Sequence, residues 1–254
     1  PTKPNKYKRG YPPGIALMQI LEGEMRKRNI QTIEDVMLVD LLTSEGRVVG
    51  ATGLDYVNNE LLVFKAKSTI LATGTYSHVF SATSVSPQET GDGHAAAFRV
   101  GAELIDMEGT QFIATHTGYR PGSVFTNAKG QEFLHKYGIH TLDGVDKEAL
   151  CRAVWQEIKN GGGTERDTIF IDLSPVAKNG GQVPESWLEN LRTLGTVYFG
   201  FENGVGFDPL HGPVETAPLA HTSTGGVRIN TRCESTVPGL YAAGAVAGGV
   251  YGHA

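Results

Sequence analysis

Cysteine, long apolar segments and clustered positive charge are all scarce in this chain of 254 residues. The two cysteines, Cys151 and Cys233, provide neither a disulfide framework nor a CxxC metal-binding pair. No apolar run reaches the roughly 18 residues that a membrane-spanning helix requires. The formal net charge is −5 and no basic stripe interrupts it, which argues against a nucleic-acid partner. The histidines show no metal-ligand spacing with cysteine or aspartate.

Glycine is abundant, with 33 residues and no collagen-like period. This number indicates many tight turns or close approaches of the backbone to a ligand. The remaining composition, 40% hydrophobic and 19% charged, is that of a globular protein with one or two domains. Few cysteines are compatible with a reducing compartment. The sequence begins with Pro1 rather than Met, so an upstream targeting signal would not be visible.

The first third of the chain predicts a helix followed by strands. Apolar residues at helical spacing predict a helix over 14–28, with cationic residues in its last turn. A short apolar run at Ser68–Ala72 is typical of a buried parallel strand that leads into a ligand loop at Thr73 and Gly74. Between these elements, alternating segments with turns at "SEG" and "VNN" predict a β-meander. Its strands are Val36–Leu42, Arg47–Tyr56 and Glu60–Lys65.

The rest of the chain changes character twice. A glycine turn followed by a small-residue helix is predicted over 90–104. A polar, loop-rich region then predicts helices over 147–159 and 184–193 and a strand over 168–173. The pattern of strands and glycines returns at 222–230 and 240–244. We therefore predict an α/β (α+β mixed) fold in which residues 1–109 and 221–254 form one discontinuous domain, and residues 110–220 form an inserted α+β domain.

Four stretches, in matching order and spacing, resemble the flavoprotein subunit family of succinate dehydrogenase and fumarate reductase, which includes L-aspartate oxidase. The resemblance begins near Gly10 and is weakest over 160–215. It implies a Rossmann-like FAD-binding domain interrupted by a capping domain, and FAD as the cofactor. The four stretches are "GRVVGATGLDYVNNELLVFKAKSTILATGTYSHVFS", "TGDGHAAAFRVGAELIDMEGTQF", "HTSTGGVRIN" and "VPGLYAAGAVAGGVYG".

Some features of this family are missing from the sequence. The family has an upstream βαβ unit with a GxGxxG fingerprint for FAD, and a downstream arginine that holds a substrate carboxylate. Neither occurs here, so the chain is expected to be an internal fragment that alone is inactive and binds no FAD tightly. The family usually has a glutamate after "AAG" that bonds a FAD hydroxyl, and this chain has Ala245 at that position.

The resemblance implies that the glycine loops contact FAD, because glycine lets backbone N–H groups approach a cofactor closely. Asp92 could also cap the helix that follows it. For each of these residues, the alternative is a role in turn formation only. The predicted cofactor-binding residues are Thr73, Gly74, Thr90, Gly91, Asp92, Gly93, Gly244, Gly248 and Gly249.

The match of "HTSTGG" implies that His221 and Thr222 bind a substrate carboxylate. A histidine can donate hydrogen bonds to an anion, although a buried core histidine is the alternative. The family has a further histidine beyond the Gln-Phe pair, and Thr115 and His116 are the nearest candidates for its role. His116 could equally be a solvated loop residue. Arg120 is the nearest cation in the segment that follows.

The proton donor of this family is an arginine at the start of a capping-domain helix. Aligning "KEALCRAVWQEI" with that helix places Lys147 at the arginine position. Lysine can transfer protons when burial or nearby cations lower its pKa, but it lacks the planar guanidinium group. The alternative is that Lys147 only begins a solvated helix. Lys147, His221 and Arg120 are therefore the candidate catalytic residues.

The resemblance implies a flavoenzyme that transfers a hydride between FAD and a small organic (di)carboxylic acid. Several departures fall at substrate and proton-transfer positions, so the substrate is expected to differ from succinate or fumarate. A soluble L-aspartate-oxidase-like enzyme and a non-catalytic binding module are the alternatives. An iron–sulfur electron-transfer protein is a possible partner. The implied location is the cytoplasm or, through a partner, the cytoplasmic face of a membrane.

Overall fold

The computed structural model describes three segments of the chain, residues 13–115, 119–178 and 212–250. These residues divide into two compact units. The first unit contains residues 33–113 and 219–250, and the second contains residues 13–32 and the described parts of 114–218. Each unit combines helices with strands, which confirms the predicted mixed fold class.

The first unit begins with the predicted antiparallel meander. Its strands are β1 (Val36–Ser44), β2 (Arg47–Asp55) and β3 (Glu60–Lys65), paired in the order β1-β2-β3. Glu45 and Gly46 join the first two strands with φ values of 52° and 74°. Two successive left-handed residues make a hairpin turn whose twist matches that of the strands. The alternating pattern therefore identified these strands correctly, with β1 extending two residues past its predicted end.

A parallel strand pair follows in the same unit. Strand β4 (Thr69–Leu71) pairs in register with β12 (Leu240–Ala242). Leu71 is buried, but Ile70 is 66% exposed. The prediction of a parallel strand is therefore confirmed. The prediction that this strand is buried is wrong for the face that carries Ile70, which no described residue covers. Alternate side chains of a strand point to opposite faces, and here only one face is covered.

Helix α2 (Asp92–Arg99) packs close to this core because its inward residues are small. Ala96 and Ala97 are fully buried, and they share a hydrophobic cluster with Leu71 and Leu240. Two further small sheets complete the unit. One contains β5 (Leu104–Ile105), β11 (Gly226–Arg228) and β13 (Ala247–Gly248), and the other contains β6 (Thr110–Ile113) and β10 (Leu219–Ser223).

The second unit has its own hydrophobic core. Helix α3 (Lys147–Glu157) contributes the fully buried Leu150 and Val154, which pack with Phe125 and Phe133. A sheet in the order β7-β8-β9 supplies the rest of the core. Its strands are β7 (Val124–Thr126), β8 (Ile169–Asp172) and β9 (Val214–Thr216), and the other helices are α1 (Pro13–Lys27) and α4 (Ser174–Lys178).

The predicted helix over 14–28 and strand over 168–173 are confirmed with shifts of one residue at their ends. Helix α3 ends two residues before its predicted end and continues as a π-helical turn over Ile158–Gly162, where Gly161 has a φ of 81°. The predicted helix over 184–193 lies outside the described residues. No helix in the described segments is long and apolar enough to cross a membrane.

Candidate functional site

Two of the predicted cofactor loops begin side by side at the carboxyl ends of β4 and β12. The hydrogen bond from the Ala243 backbone N–H to the Leu71 carbonyl, at 2.9 Å, continues the parallel ladder past the last strand residue. Gly74 and Gly244 follow with φ values of 77° and 74°, which side chains rarely tolerate. The carboxyl edge of a parallel pair is where ligands bind in open α/β sheets.

Thr73 connects this edge to helix α2. A Cβ atom on Gly93 would collide with the Thr73 side chain, so the loop and the helix approach each other as closely as glycine permits. The Thr73 hydroxyl is buried and has no hydrogen-bond partner among the described residues. A buried hydroxyl without a partner is costly, and a bound ligand or water would remove that cost.

Thr90 and Asp92 bond to each other at the start of helix α2. The Thr90 hydroxyl donates to Asp92 Oδ2 over 2.6 Å, and the N-cap residue is Gly91, in a left-handed conformation with a φ of 86°. No side chain caps this helix. The prediction that Asp92 caps the helix is therefore wrong. Asp92 is the first residue inside the helix, where its carboxylate interacts favourably with the helix dipole.

The three glycines near the end of the described chain differ in their surroundings. A Cβ atom on Gly244 would meet nothing within 4 Å, so its side is open to a ligand. Gly248 lies against the backbone of Gly226, and a Cβ atom there would stand 2.7 Å from the Gly226 carbonyl oxygen. A Cβ atom on Gly249 would stand 3.2 Å from the Ile105 side chain. Close packing thus accounts for Gly248 without a cofactor, whereas Gly244 combines an open side with a position at the sheet edge.

The structure adds two residues that the sequence analysis did not identify. The Tyr76 hydroxyl donates to the Met107 carbonyl oxygen over 2.7 Å, and the Tyr76 ring stands edge-on to His94 with centroids 5.0 Å apart. His94 is 3% exposed, and neither of its ring nitrogens has a partner among the described residues. Burial lowers the pKa of His94, which keeps its imidazole neutral. No local sequence pattern distinguishes this histidine from a surface residue of helix α2.

His221 occupies a β-bulge in β10. In the pairing with β6, Ala220 lies opposite Phe112 and Thr222 lies opposite Gln111, so His221 is the extra residue. Bulges redirect side chains and are frequent beside active sites. His221 is exposed, which excludes the alternative of a buried core histidine. Its Nδ1 atom lies 2.8 Å from the Ser84 hydroxyl oxygen.

The remaining substrate and catalytic candidates lie in different parts of the fold. Thr222, next to His221, is half-buried, and its hydroxyl is 3.4 Å from the Ser223 carbonyl oxygen. Thr115 is buried in the second unit. Arg120, also in the second unit, is exposed and donates from its guanidinium to the Tyr119 carbonyl oxygen over 3.1 Å. His116 is outside the described residues.

Lys147 is the first residue of helix α3 in the second unit. Asp146 caps this helix by accepting a 2.8 Å hydrogen bond from the Ala149 backbone N–H. This cap fixes where the helix begins and therefore the position of Lys147 on its first turn. The Lys147 side chain is exposed. Arg152, one turn further on, pairs with Glu148 at 2.9 Å.

The second unit contains a buried carboxylate, Glu157, that the sequence pattern did not predict. Glu157 accepts hydrogen bonds from Asn127 and from the Tyr137 hydroxyl at 2.9 Å each, and from Lys136 at 3.2 Å. Burial alone would raise the pKa of Glu157, but these donors outweigh it and hold the pKa below its usual value. The cluster joins the end of helix α3 to residues 127–137.

The carboxyl edge of β4 and β12, together with helix α2, has the features expected where an open α/β sheet binds a ligand. A comparison with known protein families identifies the cofactor. A family model described as "FAD binding domain" matches residues 2–254. The chain therefore belongs to this FAD-binding family, and the prediction of FAD as cofactor is confirmed. The buried Thr73 hydroxyl, the open Gly244 and the small residues of helix α2 fit such a group.

Individual relatives agree with the predicted resemblance. The chain is 35% identical over 253 residues to one subunit of the fumarate reductase (CoM/CoB) of Methanothermobacter marburgensis, covering 94% of this chain and 44% of that protein. It is 32% identical over 263 residues to an L-aspartate oxidase of Streptomyces coelicolor, covering 94% and 42%. A quinol fumarate reductase structure from E. coli matches with a TM-score of 0.70 at 24% identity, covering 91% and 42%, which shows the shared fold.

These alignments also define the extent of the similarity. The chain spans less than half the length of the curated relatives described above. The family and the fold are therefore shown, and the predicted resemblance to the fumarate reductase, succinate dehydrogenase and L-aspartate oxidase flavoproteins is confirmed.

Proposed function

We propose that this chain is part of an FAD-dependent oxidoreductase that acts on a small carboxylic acid. The observation that carries the proposal is His221, an exposed histidine on a bulge, in the same unit as the strands β4 and β12 whose carboxyl ends we propose as the FAD-binding edge. An exposed imidazole held by its backbone is suited to bind an anion. FAD supplies two-electron hydride chemistry when it is bound.

Each group of residues has a proposed role in that reaction. Thr73, Gly74 and Gly244, at the ends of the two parallel strands, bind the cofactor. His221 binds a carboxylate of the acid, with Thr222 beside it. Lys147, on the first turn of helix α3, transfers the proton that accompanies the hydride. Within this proposal, residues 110–220 form a capping domain that supplies the proton donor.

Further substrate contacts come from Thr115, His116 and Arg120 in this proposal. Thr115 is buried in the second unit, and its hydroxyl is the group proposed to contact the acid. Arg120 is exposed and provides a guanidinium that can pair with a carboxylate in a bidentate manner. Thr90, Gly91, Asp92 and Gly93, at the start of helix α2, together with Gly249, complete the proposed FAD contacts, whereas the packing of Gly248 against Gly226 accounts for that glycine.

Two alternatives differ in chemistry from this proposal. The 32% identity to an L-aspartate oxidase favours an amino acid, which would require a site for an ammonium group as well as carboxylates. A non-catalytic relative would keep the fold and lose the reaction. The flavin absorbance of the full-length protein distinguishes the three. Reoxidation of the reduced flavin by fumarate supports the first proposal, and reduction of the oxidised flavin by L-aspartate supports the amino-acid alternative. A non-catalytic relative shows neither reaction.

An electron-transfer partner also belongs to the proposal. Two of the relatives, a fumarate reductase and a succinate dehydrogenase flavoprotein, are named as subunits, which supports an assembly in which this chain is one component. We propose an iron–sulfur protein as the partner of that component. The assembly would then lie in the cytoplasm or at the cytoplasmic face of a membrane.

The role of His221 is tested by replacing it with alanine in the full-length protein. We expect the dissociation constants for fumarate and succinate to rise about ten- to a hundredfold, since one hydrogen bond to a charged group is worth about 1.5–3 kcal/mol. The flavin content should stay unchanged. His140→Ala, which removes an exposed histidine of the second unit, is the matched control. Unchanged affinities in His221→Ala with full flavin content would refute this role.

A further inference from the structure

We infer that Ser84 is a positioning residue that sets the His221 imidazole with its proton on Nε2, so that Nε2 is the N–H donor to the acid. This inference rests on the proposed role of His221 in binding a carboxylate. The residues are 137 positions apart in the sequence, and the fold brings the Ser84 hydroxyl oxygen to 2.8 Å from His221 Nδ1.

Whether the Ser84 hydroxyl donates to Nδ1 depends on a second acceptor near it, the Ala220 carbonyl oxygen. The Ser84 hydroxyl also lies 3.4 Å from the Ala220 carbonyl oxygen. That oxygen already accepts the Ser84 backbone N–H at 2.9 Å and the Thr83 hydroxyl at 3.0 Å. A carbonyl oxygen has two lone pairs, and both are engaged. Of the two acceptors, Nδ1 is the nearer, at 2.8 Å against 3.4 Å, and we assign the hydroxyl proton of Ser84 to it.

The backbone holds the two side chains in place. The segment before Ser84 runs along one side of β10, where the Ala220 N–H donates to the Ala82 carbonyl oxygen at 3.0 Å and Thr83 forms a parallel bridge with Ala220. Strand β6 pairs along the other side of β10. The distance between Ser84 and the ring is thus set by hydrogen-bonded backbone on both sides, with the bulge turning His221 outward.

The chemical consequence concerns which ligands the site accepts. A neutral imidazole has one acceptor nitrogen and one donor nitrogen, and a hydrogen bond accepted at Nδ1 leaves the proton on Nε2. A donor at Nε2 favours carboxylate oxygens and disfavours ammonium groups. Ser84 therefore contributes to selectivity for acids without contacting the ligand itself.

The tautomer is measured directly with isotope-labelled imidazole nitrogens in the full-length flavoprotein. Proton–nitrogen correlation spectra are recorded at about pH 8, above the ordinary pKa of histidine, and the signals of His221 are assigned by their loss in His221→Ala. We expect the Nε2–H tautomer in the wild type and in Ser84→Thr, which keeps a hydroxyl. Ser84→Ala should show a mixture of both tautomers.

Ser86→Ala is the matched control. It removes a hydroxyl from the same segment, but that hydroxyl donates to the Gln88 side chain and not to His221. Its spectrum should equal that of the wild type. A wild-type His221 with its proton on Nδ1, or a Ser84→Ala spectrum identical to the wild type, would overturn the inference.

Fumarate titrations of the same variants separate this inference from the proposed function. We expect Ser84→Ala to weaken fumarate binding by about twofold for an equal mixture of tautomers, because only the Nε2–H fraction binds the acid, and Ser84→Thr to restore most of the affinity. If the tautomer changes as expected but no variant, wild type included, binds any acid of a panel of small mono- and dicarboxylic acids that includes fumarate and succinate, the proposed substrate class fails and the role of Ser84 stands. If fumarate binds and the tautomer is independent of Ser84, the positioning role fails and the proposed function stands.

Discussion

Replacing Glu157 with glutamine should loosen the second unit locally. The carboxylate is 4% exposed and accepts three hydrogen bonds, from Asn127, Lys136 and Tyr137. Glutamine keeps the size of the side chain but carries no charge. Its NH₂ group cannot accept a hydrogen bond, so at least one of the three donors loses its acceptor. The free energy of local opening should therefore fall.

The expected magnitude follows from these contacts. Hydrogen bonds to a charged group are worth about 1.5–3 kcal/mol each when they are lost, and the amide preserves part of the set. Lys136 is 44% exposed, so its ion pair is discounted for solvent screening. We expect a net loss of about 2–3 kcal/mol. At about 1.4 kcal/mol for each factor of ten, opening becomes roughly 30- to 150-fold more frequent.

Hydrogen exchange measured by mass spectrometry is the suitable assay, because it reports local opening in a protein with more than one unit. Peptides covering 124–140 and 147–162 should exchange faster in Glu157→Gln, whereas peptides of the first unit should not. Glu132→Gln is the matched control, since it removes an exposed carboxylate from the same region. Exchange in Glu157→Gln within about twofold of the wild type would refute the reasoning.

The same carboxylate gives the second unit a defined sensitivity to acid. The pKa of Glu157 is lower in the folded state than its ordinary value of 4.5, because hydrogen bonds from Asn127, Tyr137 and Lys136 outweigh the effect of burial. Its stabilisation is therefore complete above that ordinary value and is lost as the pH falls through the folded pKa. Glu157→Gln should lack this part of the acid dependence in the same exchange experiment.

Two further predictions concern Lys147 and His94. Lys147→Met should reduce turnover by about 10²–10⁴-fold with flavin content unchanged, and Lys147→Arg should retain part of the activity; normal steady-state turnover of Lys147→Met would show that this lysine is not the donor. His94 is buried and its pKa is lowered, so the unfolded state binds a proton more readily and stability should fall as the pH drops below about 6.5. The fall in melting temperature between about pH 7 and about pH 5 should be smaller in His94→Phe than in the wild type. An equal fall in the two proteins would contradict the prediction.

Local patterns were sufficient for much of the fold. Alternation of apolar residues, together with a turn that requires two left-handed residues at Glu45 and Gly46, predicts the meander. Helical periodicity likewise predicts α1 and α3, since the apolar residues that recur along these segments lie on one face. Both signals depend on neighbours within a few positions, and this is why they can be read without knowing the rest of the structure.

The glycine motifs and the resemblance that they carry were also readable from the sequence. They led to the FAD-binding family and to the glycine loops at the ends of β4 and β12. The sequence did not show which glycines face open space and which pack against backbone. That difference between Gly244 and Gly248 depends on Gly226, which lies on another strand.

Only the tertiary structure decided the details of the candidate site. His221 is exposed because β6 and β10 pair with a bulge, and its ring is oriented by Ser84, 137 residues away in the sequence. The buried carboxylate of Glu157 stays charged because it accepts hydrogen bonds from side chains 20 to 30 positions away in the sequence. Hydrogen bonds of this kind join residues that are distant in the chain. Local propensity and periodicity therefore hold no information about them, and they exist only once the strands and helices have packed.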